Sequence, residues 1–386
     1  MEIMNPFSFE LPTRIEYGIG AVEKLGDCLD DLDAKKILIV TDEGILQSGL
    51  AEQVLDTTKN KGLESVVFSG VEPNPKDHNV HDGAEAAQHL GTDCIIAVGG
   101  GSPIDCAKGI ALVAATGGKI RDYQDPSRIT KGLPLIAIPT TAGTGSEITF
   151  GSVITDTSEN FKFTVKSPLI GPAIALVDPK MTVTMPPALT AATGMDALTH
   201  AVEGYTARNA EPIGDALGLY AIELISKYLR RAYNQGDDLE ARSGMLLGSI
   251  IAGMCFSHSD VASVHCIAEA LGGKYDLPHG VCNAVVLAPM MKYNMDYCRE
   301  KYALVAKAMG FSFKDEEEGC QIAVEEVAKL ARDVELPPFR DLGAKEEDLE
   351  EIAIKSAKNG SNRDNPRPME KDDYLKFLVD LFNSGQ

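Results

Sequence analysis

The sequence predicts an α/β domain with a parallel sheet in the first half and an all-helical domain in the second. At 386 residues the chain is too long for a single small core. Before residue 180, continuous apolar, β-branched runs alternate with helical patterns, as expected for a parallel sheet covered on both faces. Beyond residue 187, apolar residues recur at helical spacing and few strand-like runs remain. We place the boundary after residue 183, giving domains 1–183 and 184–386.

The order of predicted elements supports this division. Each predicted strand is a short apolar run that a helical pattern or a turn-rich segment follows. The predicted strands are residues 36–41, 65–69, 94–98 and 134–138, with helices over about 43–59 and 78–90 between them. The clearest helices of the second half are Pro212–Ala232, Ala241–Phe256 and Gln321–Val334.

Composition narrows the choice of partners and compartment. The net charge of −21 would repel a nucleic-acid backbone over most of the surface. We find no signal-peptide pattern at the N-terminus and no apolar stretch of about 18 residues, so we expect a cytoplasmic protein without a membrane partner. The eight cysteines form no C-x-x-C pair, which argues against a thiolate zinc site and a disulfide framework.

A glycine-rich loop directly follows the predicted strand 94–98 and precedes a helix. Glycines in this position let the backbone approach a pyrophosphate, and the helix N-terminus offers free N–H groups. A tight strand–helix turn without a ligand would have the same composition, because the motif is not the full dinucleotide fingerprint. The loop consists of Gly99, Gly100, Gly101 and Ser102.

A second loop, residues 139–147, follows the predicted strand 134–138. Its hydroxyl groups and glycines suit hydrogen bonding to phosphate and ribose. Two such loops at the carboxyl ends of adjacent strands predict a nucleotide site. The hydroxyl-bearing residues are Thr140, Thr141, Thr144 and Ser146.

Asp42 ends the first predicted strand and has two interpretations. Its carboxylate suits the ribose hydroxyls of NAD and would repel the 2′-phosphate of NADP. In the sequence Thr41-Asp42-Glu43 it is equally suited to cap the N-terminus of the following helix.

The helical half contains a set of residues suited to binding a metal. Asp196 and His200 are four residues apart in a helical pattern and therefore share one face. His265 begins another apolar helix, and His279 lies in the turn after it, between Pro278 and Gly280. One carboxylate and three imidazoles suit Zn²⁺ or Fe²⁺ with a position open for a substrate oxygen. A histidine can also be purely structural, so the spacing alone leaves that alternative open.

These motifs resemble the iron-containing (group III) alcohol dehydrogenases over nearly the whole chain. The resemblance implies that Asp196, His200, His265 and His279 bind the metal, and that metal and nicotinamide meet in the cleft between the domains. It assigns NAD to the two loops and to Asp105, and places Asp42, Asn74 and Lys162 near the ribose or adenine. The matching segments are Gly99–Asp105, Pro139–Glu147, Met185–Leu189, Ala192–His200 and Pro278–Gly280.

Two departures from the family pattern affect the expected chemistry. Members usually have a second histidine four residues after the position of His265, and this chain has Glu269 there. The segment before the ligand is more polar than in relatives and includes His258 and Asp260. We consider Glu269 and His258 as catalytic proton relays. The alternative is that some of these side chains face away from the site.

The resulting hypothesis is an NAD-dependent alcohol dehydrogenase that uses Fe²⁺ or Zn²⁺ and acts on a small polar primary alcohol or aldehyde. The metal would lower the pKa of the alcohol, and hydride would pass to the nicotinamide. The residues 7–15 resemble an edge strand that pairs with a partner subunit in relatives, which implies a homodimer or a larger assembly. One alternative is a non-redox enzyme of the dehydroquinate synthase type, which shares this architecture. Another is a nucleotide-binding sensor without turnover.

Overall fold

The computed structural model describes residues 6–159 and 161–384, and the chain falls into two compact units. The first unit contains residues 10–141 and 145–185. The second is formed by the chain from Pro186 onward, together with residues 142–144 and the N-terminal residues up to Phe9.

The first unit is built on a six-stranded sheet in which every neighbouring pair is parallel, in the order β1-β8-β5-β4-β2-β3. A separate antiparallel hairpin is formed by β6 and β7. The sheet strands are β1 Arg14–Tyr17, β2 Lys36–Val40, β3 Glu64–Phe68, β4 Cys94–Gly99, β5 Leu135–Pro139 and β8 Ile174–Val177; the hairpin strands are β6 Gly151–Asp156 and β7 Phe161–Lys166.

Helices cover both faces of this sheet. Successive residues of a strand point to opposite sides, so a continuous apolar strand has apolar side chains on both faces. Leu38 and Val40 of β2 belong to one buried cluster, and Ile37 and Ile39 belong to another. The first cluster includes residues of α4 and α5, and the second includes residues of α1 and α3. The helices of this unit are α1 Leu25–Asp31, α2 Glu43–Gln47, α3 Glu52–Asn60, α4 Asp77–Leu90 and α5 Gly101–Thr116.

The predicted parallel sheet is confirmed, but the prediction missed four strands. Strands β1, β6, β7 and β8 were not predicted, and the segment 7–15 is not itself a strand, since β1 begins only at Arg14. The single helix predicted over 43–59 is two helices, α2 and α3, with Gly49 at a φ of +77° between them. A backbone in this left-handed region ends a helix, and glycine adopts it without strain.

The second unit is all-helical in the described chain from Pro186 onward, as predicted. Its helices are α6 Pro187–Thr206, α7 Pro212–Asn234, α8 Leu239–Ser259, α9 Ser263–Tyr275, α10 His279–Asn294, α11 Arg299–Ala308, α12 Glu316–Asp333, α13 Leu349–Lys358 and α14 Lys371–Ser384. Several begin at side-chain caps; Glu211, for example, accepts hydrogen bonds from the N–H groups of Ile213 and Gly214 at the start of α7.

Helix α8 is long and apolar enough to cross a membrane by length and composition. However, 67% of its most apolar window is buried inside the protein, as in the core helix of a globular unit.

Candidate metal centre and nucleotide loops

Three of the four predicted metal ligands converge in the helical unit. Asp196 lies in α6, His265 in α9 and His279 at the start of α10. One donor atom from each of these side chains lies within 4.8 Å of the other two. The three residues come from three different helices, so the helix packing brings them together.

His279 is the first residue of a helix, whereas the sequence had placed it in a turn. The N–H groups of Val281 and Cys282 donate to the Pro278 carbonyl at 3.1 and 3.2 Å, so the helical turn begins there. Proline supplies a φ of −60°, which is compatible with a helix start.

His200 lies beside this group, one helical turn after Asp196. Its Nδ1 is 4.0 Å from Asp196 Oδ2, and its ring centroid is 4.6 Å from that of His265. Among the described residues, its buried Nδ1 atom has no hydrogen-bond partner. A buried imidazole nitrogen without a partner costs free energy unless something binds it, so His200 fits a fourth ligand of a metal ion.

Gly280 explains how α10 comes close enough to α6. A Cβ atom at this position would lie 2.3 Å from the carbonyl oxygen of Ala192 and 3.3 Å from the Cβ of Asp196. Backbone atoms cannot move aside as a flexible side chain can. The glycine after His279 is therefore required for His279 and Asp196 to approach one another.

Glu203 supports the site and was not predicted. Its Oε2 accepts a hydrogen bond from His265 Nδ1 at 2.6 Å and another from the Ala262 N–H at 3.0 Å. Its Oε1 accepts from the Val264 N–H at 2.7 Å. A carboxylate that holds the second ring nitrogen of a ligand histidine fixes the orientation of the ring and strengthens the ligand.

Asn283 is a second unpredicted residue of the site. It is fully buried in α10, one turn after His279, and its Nδ2 donates to Asp196 Oδ1 at 2.7 Å. The same nitrogen lies 3.1 Å from His265 Nε2 and 3.2 Å from His279 Nε2. This amide therefore contacts a side chain from each of the three helices that supply the converging ligands.

The electrostatics of the centre favour a neutral His200 and a charged Asp196. Burial lowers the pKa of His200 to about 4, so its imidazole is neutral at neutral pH. Burial alone would raise the pKa of Asp196, but the surrounding imidazoles hold it below its ordinary value. Burial opposes the charged form of His265 as well, but its bond to Glu203 and the charges of the nearby carboxylates together outweigh this effect and raise its pKa.

The centre is accessible from one side. The side chain of His279 is 28% exposed, whereas those of Asp196 and His265 are 3% and 4% exposed. Three imidazoles and one carboxylate with a solvent-facing side suit a divalent metal that keeps a coordination position for substrate.

Of the two candidate relays, only Glu269 shares a helix with one of the predicted metal ligands. It follows His265 by four residues in α9, on the same face, and accepts a hydrogen bond from Asn359 Nδ2 at 2.7 Å. The ring of His258 instead stacks on Phe9 at 4.0 Å, and its Nδ1 is 2.9 Å from the carbonyl oxygen of Met254 in its own helix.

Asp260 has an unusual backbone. Its φ of 66° and ψ of 176° lie in a region that is nearly restricted to glycine. Its Oδ1 accepts hydrogen bonds from the Val261 N–H at 2.8 Å and from Ser361 Oγ at 3.0 Å. These bonds stabilise the strained conformation at the end of α8.

The first nucleotide loop lies where the sequence predicted it, between β4 and α5. Gly99 has a φ of +151°, and a Cβ there would lie 2.5 Å from the Pro103 ring. Gly100 precedes the first turn of α5, which has no side-chain cap, so its N–H groups are available to a phosphate. Glycine is therefore needed for this loop, and the loop fits the pyrophosphate of a dinucleotide.

The second loop begins at the end of β5, the neighbour of β4. The Thr140 N–H donates to the Gly99 carbonyl at 3.0 Å. Since β5, β4 and β2 are parallel, both loops and Asp42 lie at the carboxyl edge of the sheet. The strand order also reverses between β4 and β2, which is where open α/β sheets bind nucleotides.

The other predicted cofactor residues differ in their surroundings. Asp42 caps α2, with the Ile45 N–H donating to its Oδ1 at 2.9 Å. Asn74 and Lys162 are bonded to each other, with Nζ 2.8 Å from Oδ1. The Ser146 hydroxyl donates to Asp105 Oδ1, so these two side chains bind each other inside the α/β unit.

The role of Glu203 can be tested by removing its charge. We expect Glu203→Gln to lower metal affinity about 10–100-fold, because an amide N–H₂ would face N–H donors and His265 would lose its acceptor. Metal content after dialysis against graded chelator concentrations measures the affinity. Glu211→Gln is the matched control, since Glu211 is another buried glutamate that accepts backbone N–H bonds at a helix start. Equal metal retention in both variants would contradict the role of Glu203.

Two family models match the chain. Residues 12–179 match the iron-containing alcohol dehydrogenases, and residues 190–382 match the C-terminal part of the Fe-containing alcohol dehydrogenase family.

Known proteins match over almost the full length. The chain is 41% identical to a 1,3-propanediol dehydrogenase of Citrobacter freundii, covering 97% of this chain and 99% of that protein. It is 39% identical to a choline dehydrogenase of Bacillus subtilis, covering 99% of this chain and 97% of that protein.

Solved structures agree with these matches. A crystal structure of 1,3-propanediol oxidoreductase has a TM-score of 0.95 at 38% identity, covering 98% of this chain and 100% of that one. A sulfoacetaldehyde reductase of Bifidobacterium kashiwanohense, solved in complex with NAD⁺, has a TM-score of 0.89 at 29% identity, covering 98% of this chain and 100% of that one. With its metal-ligand cluster and its nucleotide loops, the chain belongs to the iron-containing alcohol dehydrogenase family, whose members are alcohol and aldehyde oxidoreductases that use NAD and iron.

Proposed function

We propose that this protein catalyses the NAD-linked interconversion of a small polar primary alcohol and its aldehyde. The convergence of Asp196, His265 and His279 beside the carboxylate of Glu203 is the observation that carries the proposal. A divalent cation bound there would supply Lewis-acid polarisation of a substrate oxygen, and bound NAD would supply the hydride chemistry.

We propose Asp196, His200, His265 and His279 as the complete ligand set. The partnerless Nδ1 of His200 and its closeness to Asp196 support its inclusion. Fe²⁺ is the metal that the family implies, and the same donors also suit Zn²⁺. Glu203 holds His265 and Asn283 holds Asp196 by hydrogen bonds, and neither itself needs to bind the metal.

We propose that the α/β unit binds NAD at the carboxyl edge of its sheet. The first loop and the start of α5 bind the pyrophosphate, and Thr140 and Thr141 add hydroxyl donors. Thr144, which belongs to the second unit, stays a predicted cofactor residue. The Oδ2 atom of Asp42 suits a ribose hydroxyl, since the cap of α2 uses Oδ1. The bonded pair Asn74–Lys162 is assigned to the adenosine side. The division at residue 183 into NAD-binding and metal-binding domains stays a prediction.

Glu269 is our proposed proton relay, with His258 as the second candidate. Glu269 is half-buried, lies one turn from a ligand and can exchange a proton with a substrate hydroxyl directly or through water. His258 has one ring nitrogen engaged with Met254 and one face covered by Phe9, which makes it less suited to the role.

The carboxylates of Glu269 and Asp260 also affect which substrate charge the site favours. Two negative charges near the ligand helix α9 disfavour an anionic substrate and favour a neutral or cationic one. Relatives span this range, from choline and 1,3-propanediol dehydrogenases to a sulfoacetaldehyde reductase. We infer a neutral or cationic alcohol for this chain.

We further propose a cytoplasmic homodimer that binds neither nucleic acid nor membrane. The net charge of −21 and the burial of α8 support the absence of those partners. Strand β1 is an edge strand of the sheet, with Tyr17 and the following Ile19 exposed at 40% and 58%, and such an edge suits pairing with a second copy.

The function is tested with protein purified without oxygen and loaded with Fe²⁺ or Zn²⁺. Oxidation of NADH is followed with a panel of neutral, cationic and sulfonated aldehydes, and we expect the sulfonated ones to react most slowly. His265→Ala should lose metal and at least about 10³-fold in kcat/KM, since ligand and orientation disappear together. Full activity and full metal content in this variant would refute the proposed site.

The relay is tested by comparing Glu269→Gln with His258→Gln. We expect kcat of Glu269→Gln to fall about 10²-fold and to lose its dependence on pH, because the amide cannot exchange a proton. His258→Gln should keep its kcat within a few-fold. The opposite ranking would assign the relay to His258.

The assembly is tested by light scattering during size-exclusion chromatography. A mass of about twice the 41.3 kDa chain is expected at micromolar concentration. Charged substitutions at Tyr17 and Ile19 should give a monomer if the edge of β1 forms the interface, and an unchanged mass would place the interface elsewhere.

A further inference from the structure

A fully buried lysine connects the two nucleotide loops. Lys108 lies in α5, the helix that begins directly after the glycine loop, and its side chain has no exposed surface. Its Nζ lies 2.7 Å from the Gly151 carbonyl oxygen, 3.0 Å from Ser146 Oγ and 3.2 Å from Thr149 Oγ1. Ser146 lies near the end of the second loop, and Thr149 and Gly151 follow it in the chain.

Asp105 holds the same segment from one turn earlier in α5. Its Oδ1 accepts from the Ser146 hydroxyl and lies 3.3 Å from Lys108 Nζ. Its Oδ2 accepts from the Val153 N–H at 2.9 Å, and its carbonyl accepts from Ser152 Oγ at 2.8 Å. Asp105 and Lys108 are three residues apart and share one face of the helix, so together they bind residues 146–153.

The second loop is therefore held to the first at both ends. Where it leaves β5, the Thr140 N–H bonds to the Gly99 carbonyl. At its other end, the buried pair binds Ser146. A buried ion pair contributes little net stability, because removing both charges from water offsets their attraction. The more specific consequence is a fixed spacing between the two loops.

We propose that Asp105 and Lys108 are positioning residues for NAD, which set the spacing of the two loops that bind the pyrophosphate. The inference rests on the proposed binding of NAD at these loops. It also changes the role expected of Asp105 and Ser146, which act through loop placement and do not need to touch the cofactor. Loss of the pair weakens cofactor binding and leaves the metal centre intact.

The experiment measures NADH affinity directly. The chain contains no tryptophan, so the emission of NADH can be titrated with little protein background. Binding of NADH to the wild-type protein is established first, since its absence would refute the proposed NAD site and not this inference alone. We expect Lys108→Met to weaken NADH binding at least 10-fold, with kcat at saturating NADH within about threefold of wild type and unchanged metal content.

Arg242→Met is the matched control for the loss of a buried cation. Arg242 is 2% exposed in α8 and donates to Thr190 Oγ1 and the Gly236 carbonyl, both in the helical unit. This variant should melt at a lower temperature but bind NADH as the wild type does. If Lys108 had a purely structural role, Lys108→Met would likewise melt at a lower temperature and bind NADH as the wild type does.

The double variant Asp105→Asn/Lys108→Met covers the case in which the single variant does not fold. It removes both charges of the Asp105–Lys108 pair, so its melting temperature should recover relative to Lys108→Met. Its NADH affinity should remain at least 10-fold weaker than that of the wild type. Affinity within twofold of wild type in a folded Lys108→Met or double variant would overturn the inference.

Discussion

The candidate metal centre depends on the carboxylate of Glu203. It accepts the N–H groups of Ala262 and Val264 at the start of α9 and the Nδ1–H of His265 in the first turn of the same helix. The first N–H groups of a helix have no partner within the helix, and the helix dipole favours a negative charge there. One buried charge from α6 therefore caps α9 and orients its metal ligand with the same two oxygens. The position of the helix and the direction of the ligand cannot vary independently.

The α/β unit uses a buried charge for a comparable purpose. In one unit Glu203 fixes a ligand helix, and in the other Asp105 and Lys108 fix a loop. In each case a charged group is removed from water and surrounded by hydrogen-bond partners, which costs free energy unless the geometry is well satisfied. Such groups specify an arrangement more than they stabilise the fold. Both lie beside residues that we propose to hold a cofactor, where small displacements have the largest effect on binding.

The sequence predicted what depends on local spacing. The positions of Asp196 and His200 on one helical face, and the glycine loop after β4, follow from helix geometry and backbone freedom and are found in the structure. Glu203 and Asn283 were not predicted, because their partners lie up to 87 residues away and each has the pattern of an ordinary polar residue of a helix. The spacing His200-x-x-Glu203 was an available signal, since it continues the face that carries the ligands.

The strands that were predicted and those that were missed differ in their patterns of burial or in length. The prediction took continuous apolar runs as its signal, and β2, β4 and β5 have that character because both faces of the central sheet are covered. Strand β1 is partly exposed, and β6 alternates between buried and half-buried residues, so their patterns are weaker. Strand β8 is a fully buried apolar run of only four residues, so its short length and not its pattern distinguishes it from the strands that were predicted. Asp42 shows a further limit: the helix cap is visible in the structure, and it uses only one of the two carboxylate oxygens. The two interpretations of that residue are therefore compatible.

The departures from the family pattern are physically coupled. Glu269 accepts from Asn359 and Asp260 accepts from Ser361, so both unusual carboxylates bind one short segment between α13 and α14. Asp260 occupies a backbone conformation that costs about 1–3 kcal/mol for a residue other than glycine, and its bonds to Val261 and Ser361 offset part of that cost. Replacing Glu269 alone by the usual histidine would exchange the carboxylate that accepts from Asn359 for a ring with at most one acceptor nitrogen, without changing the strained turn. We therefore expect the 359–361 segment to adjust when the pattern of relatives is restored, because these residues form one hydrogen-bonded arrangement.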